Sequence, residues 1–277
     1  MLMPLNGTLN AFFYQQRPRP KSIQPCSNKQ GGDMKNAVLL FLLFAISNGG
    51  FSNELNFFVP EQVQGDQIVK KKHYMLSYSN YHEQPEWAYY KLNKDMISGK
   101  ARRLHYFQKD PAVFEKTPSM NDYKNSGYDR GHLVPAADMK LNHEAMKSTF
   151  VMSNVVPQKP EFNRVTWRIL ESKVRGFANE KGSIYVITGP VLERGLKKFS
   201  SQHISVPKSF YKILFRLIGG KIETITYLVP HDADDTDLTR YITSIDQIEL
   251  LTGIDFLKSL PDHIENEIEA GHGRGFN

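Results

Sequence analysis

From residue 74 onward the chain alternates short aromatic and β-branched runs with polar segments that contain glycine and proline, the pattern of strands joined by loops. Residues 74–78, 87–92, 149–156 and 183–188 each read as a strand. Residues 210–218 and 221–229 alternate apolar with polar positions and are joined by Gly219-Gly220, a two-residue hairpin signal. One segment follows the helical period instead: Trp167, Leu170, Val174 and Phe177 recur at three- and four-residue steps inside residues 161–177, and Pro157 and Pro160 keep the preceding loop out of that helix. Ser244-Ile245-Asp246-Gln247 is a capping box opening a further helix, which Gly253 stops. Strands with few helices between them predict an α+β domain around a mostly antiparallel sheet with flanking helices. The acidic, glycine-containing tail 265–277 reads as mobile.

The pattern is different before residue 53. Residues 1–33 are polar, rich in Pro, Gln, Asn and Gly, and without apolar periodicity, so they read as a disordered or wrongly assigned upstream extension. Met34-Lys35-Asn36, the apolar run 37–46 and the small residues around Gly50 and Ser52 follow the charged, apolar, small-residue order of a secretory signal peptide. The apolar run is short for a bilayer span. The expectation is therefore a start at Met34, a signal over residues 34–52, and a single exported domain over residues 53–277, secreted or periplasmic, with no stable membrane insertion after cleavage.

Composition narrows the chemistry. The chain carries 35 Lys and Arg against 29 Asp and Glu, but residues 1–52 contribute five of those bases and one acid, which leaves a net charge of only +2 for the remainder. Global charge is thus weak support for a polyanion partner, and local clustering decides. Between residues 91 and 109 Lys91, Lys94, Lys100, Arg102, Arg103, His105 and Lys109 face a single acid, Asp95. Cys26 is the only cysteine, and the nine histidines have no zinc-like spacing, which argues against disulfides and against a structural zinc site.

Candidate chemistry concentrates in Ser126-Gly127-Tyr128-Asp129-Arg130-Gly131-His132 and the stretch from Ser153 to Glu171. Phosphodiester hydrolysis needs an activated water, neutralisation of charge on the phosphoryl oxygens and help for the leaving alkoxide. His132 supplies a proton acceptor near neutral pH, Arg130 a planar fork of donors, and a side-chain amide an oxygen suited to a hard metal ion. Glu171 stands eight residues beyond Asn163, about 12 Å along a helix. That is too far to share its direct ligand shell, yet the tilt of helical side chains leans Glu171 back toward Asn163. Asp129, an acceptor only, reads as bracing the loop through backbone hydrogen bonds.

These residues, with Val186-Ile187-Thr188-Gly189-Pro190 and Val206-Pro207-Lys208-Ser209-Phe210-Tyr211-Lys212, resemble the DNA/RNA non-specific endonuclease family of ββα-metal (His-Me finger) nucleases over roughly residues 74–261. The resemblance implies a ββα-metal active-site unit, His132 as general base, Asn163 as the single direct Mg²⁺ ligand with Mn²⁺ as a substitute, and Glu171 acting through water. It implies Arg130 and Arg102 on phosphate oxygens, Arg102 being preferred over Arg103 because Ser98-Gly99-Lys100-Ala101-Arg102 matches the segment carrying the family's transition-state arginine. Asn154 and Gln158 fall at supporting positions, or serve only to satisfy loop polar groups. The implied partners are DNA and RNA, held through backbone phosphates, and a homodimer stays open. A catalytically silent nucleic-acid binder and a small-substrate phosphodiesterase are the rival readings.

Overall fold

The computed structural model describes residues 58–200, 204–219, 221–271 and 276. The upstream extension and the expected signal segment lie outside the described residues. The N-terminal part contains β1 (Gln67–Lys70), β2 (Tyr74–Ser79), β3 (Gln84–Leu92) and the short α1 (Lys94–Ser98). The central part contains β4 (Asp129–His132), α2 (His143–Ser148), β5 (Val155–Gln158), a wide π-helical turn (Phe162–Trp167) and α3 (Arg168–Lys181). The C-terminal part contains β6 (Ile184–Pro190), β7 (Lys198–Phe199), β8 (Ile204–Ser205), β9 (Ser209–Ile218), β10 (Lys221–Pro230), β11 (Ile242–Thr243), α4 (Ile245–Thr252) and α5 (Asp262–Glu269).

Seven strands form one sheet in the order β1-β2-β3-β6-β9-β10-β11, every neighbouring pair antiparallel. The period of two in the strands assigns side chains to two faces. Leu76, Tyr78, Ala88, Tyr90, Val186 and Leu214 face one apolar cluster, which also takes Trp167, Leu170 and Val174. Met75, Trp87, Tyr89, Ile187, Ile213 and Phe215 face the other, which takes Ile245 and Ile248 of α4. The architecture is α+β, with the sheet between the β4–β5–α3 unit on one side and the C-terminal helices on the other.

Three expectations need correction. Residues 149–156 do not form one strand: Met152–Asn154 is a 3-10 turn, and the strand is confined to Val155–Gln158. The Asn154 side chain takes the Thr149 carbonyl, so the backbone there is anchored sideways instead of joining a ladder. The helix begins as π-helical winding over Phe162–Trp167 before becoming α. The first residues of the supposed mobile tail are the second half of α5, and Ile264 and Ile268 pack on the core.

Other local rules hold. Ser244 Oγ accepts from Gln247 N at 3.2 Å and Gly253 closes α4 at φ +71°, the left-handed conformation that a side chain disfavours. Pro85 sits within β3 opposite Tyr78, where a bulge interrupts the ladder that a proline cannot complete. The buried stripe of α3 sets the position of everything it carries on its other face. Leu170→Ala, at a fully buried site, is expected to cost about 2–5 kcal/mol, measurable as a lower urea midpoint at unchanged slope.

Candidate active site

β4 and β5 pair with Asp129 opposite Gln158, Gly131 opposite Val156 and His132 opposite Val155. A Cβ at Gly131 would lie 2.1 Å from Gln158 Oε1, so the close approach of the Gln158 side chain demands glycine there. Gln158 is fully buried and supports the hairpin by packing, since neither of its amide atoms has a hydrogen-bond partner among the described residues. Asn154 supports it by hydrogen bonding. Its Oδ1 accepts from Val134 N at 2.9 Å, and its Nδ2 donates to the carbonyls of Val134 and Thr149 at 3.0 Å each. The chain leaving His132 is thereby stapled to the segment that enters β5.

The loop from β5 to the helix is pinned from the large sheet. Lys159 N donates to His231 Nε2 at 2.8 Å, and His231 Nδ1 donates to Pro207 O at 2.7 Å. Asn163 follows at the start of the π-helical turn. Its Nδ2 donates to Asp129 Oδ2 at 2.8 Å, while Arg164 grips the same carboxylate with Nε at 2.8 Å and Nη2 at 2.7 Å. Because an ionised carboxylate only accepts, the Asn163 atom facing it must be the amide nitrogen, which leaves Oδ1 as the free donor oxygen. Burial works against the charge on Asp129, yet the hydrogen bonds from Arg164 and Asn163 hold its carboxyl below the usual range. Asp129 therefore braces side chains of the helix, not backbone as the sequence suggested.

His132 lies between Phe107 and Phe150, each ring centroid 4.8 Å away. Its Nε2 is sealed from solvent without a hydrogen-bond partner among the described residues, so Nδ1 is the ring nitrogen available to the cavity. Burial, followed by the charge of Arg103, pushes its pKa down to about 3. The imidazole is neutral around pH 7 and its lone pair is free to accept a proton. Phe107 is positioned by a short backbone clasp in which Gln108 N donates to Phe150 O and Met152 N to Gln108 O, both at 2.8 Å.

His132, Asn163 and Glu171 line one cavity of about 510 Å³, and so do Arg103, Arg130 and Arg168. Among the described residues these three guanidinium groups form no ion pair; Arg168 Nε donates to Arg164 O at 2.7 Å, and the remaining donors are open to an anion. Arg103 lies over the Phe150 ring and Arg130 over Phe107, which holds both beside His132. Arg102, expected in this role, is absent from the cavity lining, whereas the equally exposed Arg103 is part of it. The reason is packing: Ala101 and Leu104 settle against Ala136, Met146 and Phe150, and that register turns Arg103, not Arg102, toward His132.

Behind the cavity is a buried polar layer that sequence reasoning missed. Asp138 accepts from Arg175 Nη1 at 2.9 Å and from the Tyr90 hydroxyl at 2.8 Å. Lys212, fully buried on β9, donates to Thr188 Oγ1 at 3.0 Å and lies 4.8 Å from the Trp167 ring centre. Burial pushes Glu171 up and Lys212 down, and each opposes the other's shift by its charge. Arg164, Arg168 and Arg175 repeat at helical spacing on the face opposite the buried stripe, so their common direction was legible in the sequence. The approach of Phe107, Phe150 and Lys212 had no local signal.

The donor set suits a hard divalent cation: one amide oxygen held outward, one carboxylate nearby, and no thiolate. With a neutral imidazole and unpaired guanidinium groups in the same cavity, the arrangement fits phosphodiester chemistry. Comparison with known proteins agrees. The family profile described as DNA/RNA non-specific endonuclease matches residues 52–263. A nuclease of Nostoc sp. is 35% identical over 217 residues, covering 73% of this chain and 77% of its own. Human mitochondrial endonuclease G is 32% identical over 209 residues, 70% of each chain. A chain from the crystal structure of an EndoG/EndoGI complex superposes with a TM-score of 0.70 at 25% identity, covering 78% of this chain and 94% of its own. The chain belongs to the DNA/RNA non-specific endonuclease family and is a phosphodiester-hydrolysing enzyme.

Proposed function

We propose that the protein is an exported, Mg²⁺-dependent endonuclease that cuts DNA and RNA without sequence specificity. One observation carries this reading: the Asp129 carboxylate commits the Asn163 amide nitrogen, so that Asn163 Oδ1, the Glu171 carboxylate and His132 are offered to one cavity. Asn163 directly and Glu171 through water would hold the ion, which when bound neutralises charge on the phosphate and the leaving oxygen. His132 accepts the proton of the attacking water at Nδ1, a contribution of about 10²- to 10⁴-fold for a general base. Arg103, Arg130 and Arg168 hold phosphate oxygens. Arg103 takes the role that the sequence suggested for Arg102, because it stands against the ring that flanks His132. Phosphate contacts carry no base information, which accords with action on both nucleic acids.

His132 and Asn163 are expected to fail in different ways. His132→Ala should lower plasmid nicking by at least about a hundredfold with its Mg²⁺ dependence unchanged, whereas the defect of Asn163→Ala should be partly offset by raising Mg²⁺ or Mn²⁺. A metal titration of nicking by both variants decides it, and rescue of His132→Ala by metal with none for Asn163→Ala would reverse the assignment.

The two neighbouring arginines provide a second test. Arg103→Ala should reduce turnover on plasmid and RNA by about 10²-fold or more, with a far smaller change in DNA affinity. Arg102→Ala should behave as simple loss of one surface charge. The opposite ranking in steady-state kinetics would restore Arg102 to the catalytic role.

Export rests on the signal-like segment alone. Expression from Met34 should yield a mature chain beginning near Asn53 in the periplasm or medium, read by N-terminal sequencing. A cell-associated product that keeps residues 34–52 would indicate an anchor instead.

A further inference from the structure

A second group of oxygen donors lies on the other side of the sheet from the catalytic cavity. α4 contributes Asp246 and Glu249, the following loop Asp255, and α5 Glu265 and Glu269. Asp246, Glu249 and Glu269 each bring a carboxylate oxygen within 4.8 Å of the others, and so do Asp255, Glu265 and Glu269. Glu269 belongs to both groups and is only 5% exposed.

Clustered acids on a surface are common and need no ligand when water solvates them. Glu269 is not so placed. Its Oε1 is sealed from solvent and has no hydrogen-bond partner among the described residues, and Asp255 Oδ1 is in the same condition. Among the described residues none of the five acids has an ion-pair partner. Among the described residues the only protein group answering Glu249 from outside the cluster is Phe256 N, which donates to its Oε1 at 2.8 Å. Leaving a buried carboxylate oxygen unanswered is unfavourable. Within the cluster the Glu269 carboxyl meets that of Glu249 and the Glu265 carboxyl that of Asp255 in side-chain hydrogen bonds. Burial, then the charges of Glu249 and Glu265 and the bond to Glu249, raises the Glu269 pKa, and burial with the charge of Asp255 raises that of Glu249. The neighbouring α5 acid Asp262 adds to the same negative field around Glu265.

We propose that Asp246, Glu249, Asp255, Glu265 and Glu269 form a Ca²⁺ site that fastens α5 onto α4. All five donors are carboxylates, which suits a hard cation and gives no preference to zinc or copper. Ca²⁺ accepts about six to eight oxygens in a flexible shell, which suits carboxylates brought from three separate segments, whereas Mg²⁺ demands about 2.1 Å and regular octahedral geometry. The site also differs in kind from the catalytic one, where a neutral amide leaves most of the ion's charge for the substrate. Here the charge is consumed by the protein, so the ion's work is to join α4, its following loop and α5.

The test uses the purified full chain carrying Asn163→Ala, which removes the direct protein ligand at the catalytic cavity. At pH 8, Ca²⁺ should bind by calorimetric titration and raise Tm by about 5 °C or more when it exceeds Kd a hundredfold, with Mg²⁺ at equal concentration giving a smaller shift. Adding Glu269→Gln should abolish both the binding and the shift. Glu269→Gln should also melt higher than its parent in chelator, because one of the opposed charges is gone, and in the otherwise unaltered enzyme it should nick plasmid at the parental rate. Absence of Ca²⁺ binding, or binding that survives Glu269→Gln, overturns the proposal. A chelated protein that gains the full stabilisation on going from pH 8 to pH 6, with no response to Ca²⁺, would show that shared protons hold the cluster instead.

Discussion

The Asp129 carboxylate is the point on which the catalytic half of the molecule depends. It projects from the first strand of the β4–β5 hairpin and is the only group that joins the hairpin to Asn163 and Arg164 of the helix by charged hydrogen bonds among the described residues. The connection spans 34 residues of sequence for Asn163. Its chemical consequence follows from what a carboxylate cannot do. Having no proton to give, it can only receive the amide N–H₂, and the carbonyl end of Asn163 is left for another partner. Arg164 satisfies the other carboxylate oxygen and helps keep the acid ionised. Orientation of a neutral oxygen donor, which an exposed asparagine would lack, is thus achieved without adding negative charge at that oxygen.

His132 is controlled by a different kind of environment. Two phenylalanine rings and a nearby guanidinium make the protonated form costly, so the ring stays neutral and its basicity is reserved for the cavity. The same rings carry Arg103 and Arg130 on their faces, so a single aromatic pair positions both the imidazole and two of the guanidinium groups that line the cavity. Beneath them the charges of Asp138 and Lys212 are buried, with the partly buried Arg175 and Glu171 against them. Burying such groups is expensive, and losing one partner of a buried pair typically costs about 3–5 kcal/mol. The layer therefore strongly favours the one helix orientation in which all four are answered.

Much of this was legible along the chain. The Phe210 to Ile218 alternation forecast a strand with two dressed faces, and the structure divides its residues between the two apolar clusters as a period of two requires. Ser244 and Gly253 marked a helix because capping is a local transaction between a side chain and backbone groups within one turn. The close approach of the Gln158 side chain that requires glycine at position 131 was not legible, because a lone glycine does not say what approaches it. Which of Arg102 and Arg103 lines the cavity was not legible either. Adjacent residues on an irregular segment differ only in which way the segment is rolled, and that roll is set by Ala101 and Leu104 meeting Phe150, which lies more than forty residues away.

The sequence by itself determined the main strands of the large sheet and two of the helices, the covalent spacing of Asp129, His132, Asn163 and Glu171, and the types of chemical group they bring. Those properties depend on periodicity, local backbone preference and side-chain identity, all of which act within a few residues. Only the tertiary structure decided that the Asp129 carboxylate would turn the Asn163 amide, that the helix would open with π winding, and that Lys212 would lie buried within the electrostatic reach of Glu171. It also decided that five acids from α4, its following loop and α5 would meet around Glu269. Each of these is a contact between elements distant in sequence or a compromise forced by close packing, and its energy exists only once the sheet has brought both sides together.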